Sequence, residues 1–440
     1  MIVEGTYVKL FTDNPITSDN EDQFGFAHYA YVLRDTILQT GPLPFCVGIF
    51  GNWGSGKTSF MKMIESSIAN ERKVRSIWFN PWKYDKKEDL WSALIQSIVY
   101  KISAKYHGQE ENAQKAKHLA LAMTWLAMKK VIAALTAGVI SESNLDNLVD
   151  SFSEVDKKYH QYINNFEESF NDLVDDYTEG GKLVIFIDDL DRCLPENAIT
   201  VLESLKLFIG HAQCIFVLGM DYYIVEEGIR SRYTDKVKLS GREYLDKIVQ
   251  VPFYLPPVPY ETIKASLIGG EVSHILSEEI WNIIHLGMDG NPRKTKRFVN
   301  CFNLLQSYLR TPTRNEILLG KNTPILSEAI QNIYLAKLLV FQMSFPGFYL
   351  HLRHHPEDWV YLEKSIIQED NSDKRRFALR EKPELETLWR ENPNLQIFMR
   401  KTAMAVSYPH LKYPIAPSDE IVSKLLQDIS LIAENPDRSA

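Results

Sequence analysis

The stretch from Lys182 to Cys193, KLVIFIDDLDRC, places three aspartates and an arginine directly after an apolar run. The acidic residues are Asp188, Asp189 and Asp191, and the basic residue is Arg192. Clustered carboxylates after a buried strand are typical of sites that hold a hard metal ion. Four chemistries fit them: a haloacid dehalogenase-type phosphatase, with Asp-x-Asp at positions 189 and 191, a nuclease, a calcium loop, or the Mg²⁺-binding strand of an ATPase.

A glycine-rich segment earlier in the chain narrows these alternatives. Residues 51–58, GNWGSGKT, match G-x-x-x-x-G-K-[ST] and lie between an apolar strand pattern and a helical pattern. The glycines allow backbone N–H groups to surround phosphates, and the N-terminus of the following helix favours negative charge. Lys57 is expected to reach the β- and γ-phosphates and Thr58 to supply a hydroxyl to Mg²⁺. Trp53 is not required by phosphate geometry; it either packs over the loop or stacks on something bound. The predicted ATP contacts in this loop are Gly51, Asn52, Trp53, Gly54, Ser55, Gly56, Lys57, Thr58 and Ser59.

With this loop present, the aspartate stretch is interpreted as the second half of one site. Asp188, at the end of the apolar strand, is predicted to hold Mg²⁺ through water. Asp189 is predicted to orient or deprotonate the attacking water. The phosphatase interpretation would leave the loop unexplained. Two roles stay open: Asp191 either caps a helix that begins near Pro195 or is catalytic, and Arg192 either forms an ion pair with the aspartates or is catalytic.

Three further residues are candidates for contact with nucleotide. Asp221 follows the fourth predicted strand and either senses the γ-phosphate or caps a helix. Arg242 precedes the fifth strand and is predicted to act in a neighbouring subunit's site, although Arg230 and Arg232 compete for that role. Arg293 opens a basic helix and is expected to reach the nucleotide, with a solvent-facing helix as the alternative.

Composition argues against several function classes. The net charge of −8 and pI near 5.8 do not indicate the excess of positive charge that is typical of general nucleic-acid binding. The apolar fraction is 45% and the charged fraction 24%, as in ordinary globular proteins. The four cysteines lack the spacing of a zinc site, and no secretory signal is visible at the start. These features predict a cytoplasmic protein with reduced thiols.

Five strand patterns alternate with helical patterns and predict an α/β fold. The strands are expected in residues 43–50, 74–80, 183–187, 214–221 and 249–254. Continuous apolar strands alternating with helices indicate a mostly parallel sheet covered on both faces. The predicted fold class is therefore an α/β P-loop NTPase with a mostly parallel five-stranded sheet, a helical insertion and a C-terminal helical domain. The predicted segments are 1–104 and 181–258 for the two parts of the core, 105–180 for the insertion and 259–440 for the helical domain.

An apolar run within the insertion raises the question of a membrane. Residues 118–140 are about as apolar as a membrane span, but Lys129 and Lys130 lie at the centre of the run, where charge is costly. A buried or partner-binding helix is favoured, and peripheral membrane association is left open.

The motifs together resemble the KAP family of P-loop NTPases. The resemblance covers roughly residues 12–350 and depends on ordered motifs that include GIFGNWGSGKTSF, IWFNPWKY, VIFIDDLDRC, VLGMD and GNPRKTKRFVN. It implies an additional-strand (ASCE-type) ATPase that uses ATP and Mg²⁺, in a family linked to phage exclusion and defence or to membrane-associated scaffolds. Two functions are expected on this basis. The first is an ATPase that assembles or remodels a partner in bacterial anti-phage defence or a related stress response. The second is a slowly hydrolysing nucleotide-gated switch or signalling scaffold, with membrane association left open. A homo-oligomer with an arginine supplied in trans is expected, as is a protein partner that carries any effector activity.

Overall fold

The computed structural model describes residues 10–39, 41, 44–84, 90–105, 170–208, 213–233, 241–268, 276–309, 328–367, 382–403, 422–423 and 425–426. The chain divides into two compact units: Pro15–Pro256, and Met1–Asn14 together with Pro257–Ala440. The four predicted segments stay a prediction. The apolar run at residues 118–140 lies outside the described residues.

The first unit is built around a five-stranded parallel sheet, which confirms the predicted fold class. Its strands are β1 (Phe45–Phe50), β2 (Val74–Phe79), β3 (Lys182–Ile187), β4 (Cys214–Met220) and β5 (Val251–Tyr254). Their order across the sheet is β2-β3-β4-β1-β5, and every pair is parallel. Strand β4 thus lies between the strand before the glycine-rich loop and the strand before the aspartates, as an additional-strand NTPase requires.

The central strands form because their continuous apolar sequence can be buried on both faces of the sheet. In β3, Leu183, Ile185 and Ile187 join one hydrophobic cluster, and the alternate residues Val184 and Phe186 are also fully buried. Strand β5 differs because it lies at an edge and alternates between partly buried and exposed residues. Pro252 is tolerated there because an edge strand does not need every N–H for pairing.

Strand β5 begins slightly later than the sequence predicted. Val249 was expected to begin the strand, but its N–H group, like that of Ile248, donates to the carbonyl oxygen of Leu245. They therefore continue the preceding helical turn, and pairing with β1 starts at Val251.

Six helices lie in the described residues of the first unit. They are α1 (Ala27–Gln39), α2 (Lys57–Ile68), α3 (Leu90–Lys105), α4 (Pro195–Phe208), α5 (Tyr222–Tyr233) and α6 (Gly241–Asp246). Helix α2 packs on β1, β2 and β4 and also contacts α1, while α3 packs against β2 and α4. The apolar face predicted for α2 is confirmed, since Phe60, Met61, Ile64 and Ile68 are all buried. Burial of this stripe fixes the helix that begins at Lys57 against the sheet.

The described residues of the second unit form helices. They are α7 (Tyr260–Ile268), α8 (Glu278–Gly287), α9 (Pro292–Leu309), α10 (Glu328–Ser344), α11 (Pro346–His354), α12 (Glu357–Ile367), α13 (Pro383–Glu391) and α14 (Pro393–Thr402). Prolines occupy the first position of several of these helices, where the missing N–H group costs nothing. Across the part of the chain described here, no helix has both the length and the apolar character needed to cross a membrane.

Candidate nucleotide-binding site

The glycine-rich loop connects β1 to α2 and has the backbone geometry expected of a phosphate-binding loop. Gly54 and Gly56 adopt φ angles of 84° and 106°, which favour glycine. A Cβ at Gly56 would also lie 3.2 Å from the ring of Phe26, and one at Gly51 would lie 2.6 Å from Oγ of Ser55. The loop therefore needs glycine at these positions for both backbone conformation and space.

Three acceptors from the described residues lie near the ammonium group of Lys57. Its Nζ lies 2.7 Å from the carbonyl oxygen of Gly51, 3.3 Å from that of Asn52 and 3.2 Å from Oδ2 of Asp191. The Lys57 and Asp191 side chains are only 8% and 3% exposed. The lysine predicted to bind phosphate is thus held inside the loop by a buried ion pair.

Asp188 and Thr58 form the candidate metal-binding pair. Asp188 follows β3 directly and is buried, and its carboxylate accepts hydrogen bonds from the Thr58 hydroxyl and from the N–H of Asp189. Burial raises the pKa of Asp188, the charge of Asp189 adds to the rise, and the Thr58 hydrogen bond and Lys57 oppose it. Burial therefore makes the ionised carboxylate less favourable than it is in water, and a bound cation would offset part of that penalty.

Asp189 is held in a defined orientation by two side chains. The amide Nδ2 of Asn80 donates to its Oδ2 at 2.8 Å, and Nε of Arg192 lies 2.8 Å from its Oδ1. Its φ of 60° places it in the left-handed region, which non-glycine residues adopt mostly in turns and functional sites. Of the two alternatives for Arg192, the structure supports the ion pair.

These contacts bring together two unusual sequence runs, Asn-Pro-Trp at 80–82 and Asp-Leu-Asp-Arg-Cys at 189–193. Besides the Asn80–Asp189 hydrogen bond, the guanidinium carbon of Arg192 lies 5.6 Å from the centre of the Trp82 ring. Asn80 is a site residue that the sequence interpretation missed. Two signals could have found it: its place in the Asn-Pro-Trp run, and its position after the carboxyl end of β2, next to β3 in the sheet.

The proposed helix cap at Asp191 is wrong. Leu194, not Asp191, occupies the position before the first residue of α4. Asp191 instead lies in a short 3-10 helix, Leu190–Arg192, and its carboxylate pairs with Lys57.

Asp221 was predicted either to cap a helix or to sense the γ-phosphate, and the structure shows a helix-capping contact. Its Oδ1 accepts a 3.1 Å hydrogen bond from the N–H of Tyr223 in the first turn of α5. It is buried and follows Met220, whose carbonyl oxygen accepts the N–H of Gly51 at 3.3 Å. Asp221 therefore lies at the same edge of the sheet as the loop, and a γ-phosphate contact stays a prediction.

The candidate arginines fall in different settings. Arg242 is exposed at the start of α6, whereas Arg230 pairs with Glu227 at 3.1 Å on the surface of α5. The side chain of Arg232 lies outside the described residues. Arg293 belongs to the second unit, where it pairs with Asp13 at 3.4 Å. An exposed position suits an arginine that acts on a neighbour, so Arg242 stays the predicted finger.

Trp53 and Ser59 each have a structural feature that phosphate geometry did not predict. Trp53 is 54% exposed, so its ring is largely available to solvent. Oγ of Ser59 accepts a 3.3 Å hydrogen bond from the N–H of Ile16, which ties the segment before α1 to the start of α2.

The residues present fit a nucleotide with Mg²⁺. Hydroxyl and carboxylate oxygens, as supplied by Thr58 and Asp188, are the ligands that Mg²⁺ prefers. Oγ of Ser55 is buried and makes no hydrogen bond to the described residues, so a polar donor or acceptor remains available inside the loop. Lys57 adds a positive charge beside these groups.

Comparison with known proteins identifies the family. The model of the KAP family P-loop domain matches residues 26–309, which include every motif of this site. The chain belongs to the KAP family of P-loop NTPases. Its α/β core is therefore a nucleotide-binding domain.

Two related sequences differ in how much they share with this chain. An uncharacterized protein of Methanocaldococcus jannaschii is 28% identical over 160 residues, which cover 30% of this chain and 82% of that protein. The phage T7 exclusion protein of Escherichia coli K12 is 25% identical over 259 residues, which cover 54% of this chain. The match spans only 33% of the exclusion protein's length.

Solved structures with a distant resemblance include two archaeal proteins. The ORC2 protein of Aeropyrum pernix, in ADPNP–ADP complexes, aligns with a TM-score of 0.34 and 11% identity over 92% of each chain. The ORC1 protein of the same organism, in complex with DNA, gives a TM-score of 0.35 and 12% identity over 97% of this chain and 88% of that one.

The second unit contains a group of side chains of metal-ligand type. His351, His355 and Glu384 each place one ligand atom within 4.8 Å of the others. The sequence interpretation did not select these histidines because their spacing is irregular. Two of the three side chains are exposed, and exposed groups of this kind are common without an ion, so the cluster is given no role in the nucleotide chemistry.

Proposed function

We propose that this KAP protein binds ATP with Mg²⁺ and hydrolyses it at the carboxyl edge of the parallel sheet. The observation that carries the proposal is the adjacency of two carboxylates with different surroundings. Asp188 is buried against Thr58, whereas Asp189 lies between Asn80 and Arg192. The first arrangement suits a metal ligand, and the second suits a residue that orients water.

Each residue has a separate task in this reaction. The loop from Gly51 to Gly56 binds the phosphates through backbone N–H groups, and Lys57 neutralises their charge. Thr58 and Asp188 would hold Mg²⁺, which supplies charge stabilisation on the phosphate oxygens when bound. Asp189 orients the attacking water and accepts its proton, while Asn80 and Arg192 keep its carboxylate in place.

Two substitutions separate binding from hydrolysis. Lys57→Ala is expected to abolish ATP binding, and Asp189→Asn is expected to retain binding while losing about 100-fold or more in turnover. ATP binding is measured by calorimetry and turnover by phosphate release. Wild-type turnover in Asp189→Asn would contradict the assignment of Asp189.

We further infer that ATP turnover drives assembly or remodelling of a protein partner in anti-phage defence. The support is the similarity to a phage T7 exclusion protein, of which this chain matches a third of the length. The test is phage infection of cells that express wild-type protein or Lys57→Ala. Protection that is equal in both, or absent in both, would reject a nucleotide-dependent defence role.

The alternative is a nucleotide-gated switch that hydrolyses slowly. It is favoured by the fact that both carboxylate oxygens of Asp189 already have partners, Asn80 on Oδ2 and Arg192 on Oδ1. A carboxylate in two strong contacts is a poor base until one of them is released. Single-turnover and steady-state rates decide between the functions: a switch gives slow chemistry in both, whereas a remodelling ATPase accelerates when its partner is added.

A further inference from the structure

The ion pair between Lys57 and Asp191 has a consequence for phosphate binding. A lysine ammonium has three N–H donors, and the carbonyl oxygens of Gly51 and Asn52 and the carboxylate of Asp191 provide three acceptors. A phosphate oxygen can bind Lys57 only if one of these acceptors is displaced. Asp191 is the charged member of the three and the only one contributed by a different part of the chain.

Electrostatics makes Asp191 the acceptor that phosphate is most expected to displace. Its carboxylate carries the same sign of charge as the phosphates and pairs with the ammonium group that the phosphates are predicted to bind. Because both side chains are almost completely buried, the pair is poorly screened, and like charges close together in such a setting repel strongly. Bound phosphate and the present position of Asp191 are therefore mutually unfavourable.

Displacement of Asp191 would also affect the catalytic candidate. Asp189, Asp191 and Arg192 lie in one short turn, in which the N–H of Arg192 donates to the carbonyl oxygen of Asp189 at 3.1 Å. The ion pair between Asp191 and Lys57 constrains one end of the turn. The contacts of Arg192 and Asn80 with the Asp189 carboxylate constrain the other end. We therefore expect a change in the position of Asp191 to alter the turn that holds Asp189.

We propose that Asp191 is an internal competitor for the phosphate-binding lysine and thereby sets the affinity of this site for nucleotide. The carboxylate holds Lys57 in the loop and is released when a phosphate group takes over the ammonium. The inference deepens the proposed function, since it concerns how the same site accepts its nucleotide. It needs only nucleotide binding and not hydrolysis.

The test is ADP binding by calorimetry, because ADP carries the β-phosphate and is not hydrolysed. Asp191→Asn is expected to bind ADP about tenfold more tightly than wild type, since the competing charge is removed. Asp191→Glu keeps the charge and is expected to bind within about twofold of wild type. Glu227→Gln, which removes an exposed negative charge on α5, is the matched control and should leave the affinity unchanged.

A structural role for Asp191 would give the opposite result. If the carboxylate only stabilised the loop, Asp191→Asn would lower both the melting temperature and the ADP affinity. If Asp191 were a metal ligand, the variant would weaken binding with Mg²⁺ but not binding in EDTA. Either result, or an unchanged affinity in both conditions, overturns the proposal.

ADP binding by Asp191→Asn and ATP hydrolysis by wild type can succeed or fail independently. Tighter ADP binding in Asp191→Asn with no ATP hydrolysis by wild type would contradict the ATPase proposal alone. Normal hydrolysis by wild type with unchanged or weaker ADP binding in Asp191→Asn would contradict only the proposal that Asp191 competes with phosphate for Lys57.

Discussion

The amide nitrogen Nδ2 of Asn80 lies 2.8 Å from Oδ2 of Asp189 and joins the carboxyl ends of two neighbouring strands. Pairing of Phe79 with Ile187 brings these ends to the same level, and the N–H of Asp188 donates to the carbonyl oxygen of Phe79 at 3.1 Å. The sheet register therefore determines the orientation of a side chain proposed to act on water.

Removal of the Asn80 amide is expected to impair turnover without impairing binding. In Asn80→Ala, Asp189 loses the donor on Oδ2 and keeps only Arg192, so its carboxylate is positioned less well. Turnover should fall about 10- to 100-fold, while ADP affinity stays within about twofold. The measurements are phosphate release and calorimetry. Asn282→Ala, an exposed substitution on α8, should change neither quantity, and a loss of ADP affinity in Asn80→Ala would argue for a role in nucleotide binding instead.

Gly219 in β4 leaves space for the candidate metal ligand. A Cβ at this position would lie 2.7 Å from Oδ1 of Asp188 and 2.6 Å from Sδ of Met61. The methionine can move, but the Asp188 carboxylate is fixed by hydrogen bonds from Thr58 and from the backbone. We expect Gly219→Ala to weaken Mg²⁺-dependent nucleotide binding about tenfold and to destabilise the protein by about 1–3 kcal/mol.

Calorimetry with and without EDTA separates these two effects of Gly219→Ala. Binding in EDTA should change much less than binding with Mg²⁺, because Asp188 is the displaced group. Gly41→Ala is the matched control, since a Cβ there meets nothing within 4 Å. Equal losses with and without Mg²⁺ would mean that the substitution distorts the whole site.

Arg242 is expected to act between subunits. It is exposed at the start of α6, and a finger contributed by a neighbour stabilises charge in the transition state. Specific ATPase activity should therefore rise with protein concentration, and Arg242→Ala should lower the maximum about 100-fold or more. Arg230→Ala is the control, because Arg230 pairs with Glu227 on its own helix. Activity independent of concentration across the range in which oligomers form would reject a site shared between subunits.

The sequence predicted the sheet well because the signals were local. Continuous apolar runs, alternation with helices and the loop pattern at residues 51–58 each depend on neighbours in the chain. The contacts of Lys57 with Asp191 and of Asn80 with Asp189 could not be predicted in the same way. They depend on which strands become adjacent and on the turn at Asp189, whose left-handed backbone has no clear sequence signal.

The helical unit contains a buried ion pair that is expected to dominate the response of this unit to substitution. Nζ of Lys337 donates to Oε1 of Glu363 and, at 3.0 Å, to the carbonyl oxygen of Thr402, and both charged side chains are completely buried. Loss of one charge leaves the other buried without its counter-ion, so Lys337→Met should destabilise the unit by about 3–5 kcal/mol. The double substitution Lys337→Met with Glu363→Leu should recover most of this loss, because no charge is then left buried.

Native-state hydrogen exchange of the α10 amides reports the opening free energy of this unit directly. Lys364→Met, at the exposed neighbouring position, should shift it by less than about 0.5 kcal/mol, and a double variant no more stable than Lys337→Met would show that packing rather than charge accounts for the loss.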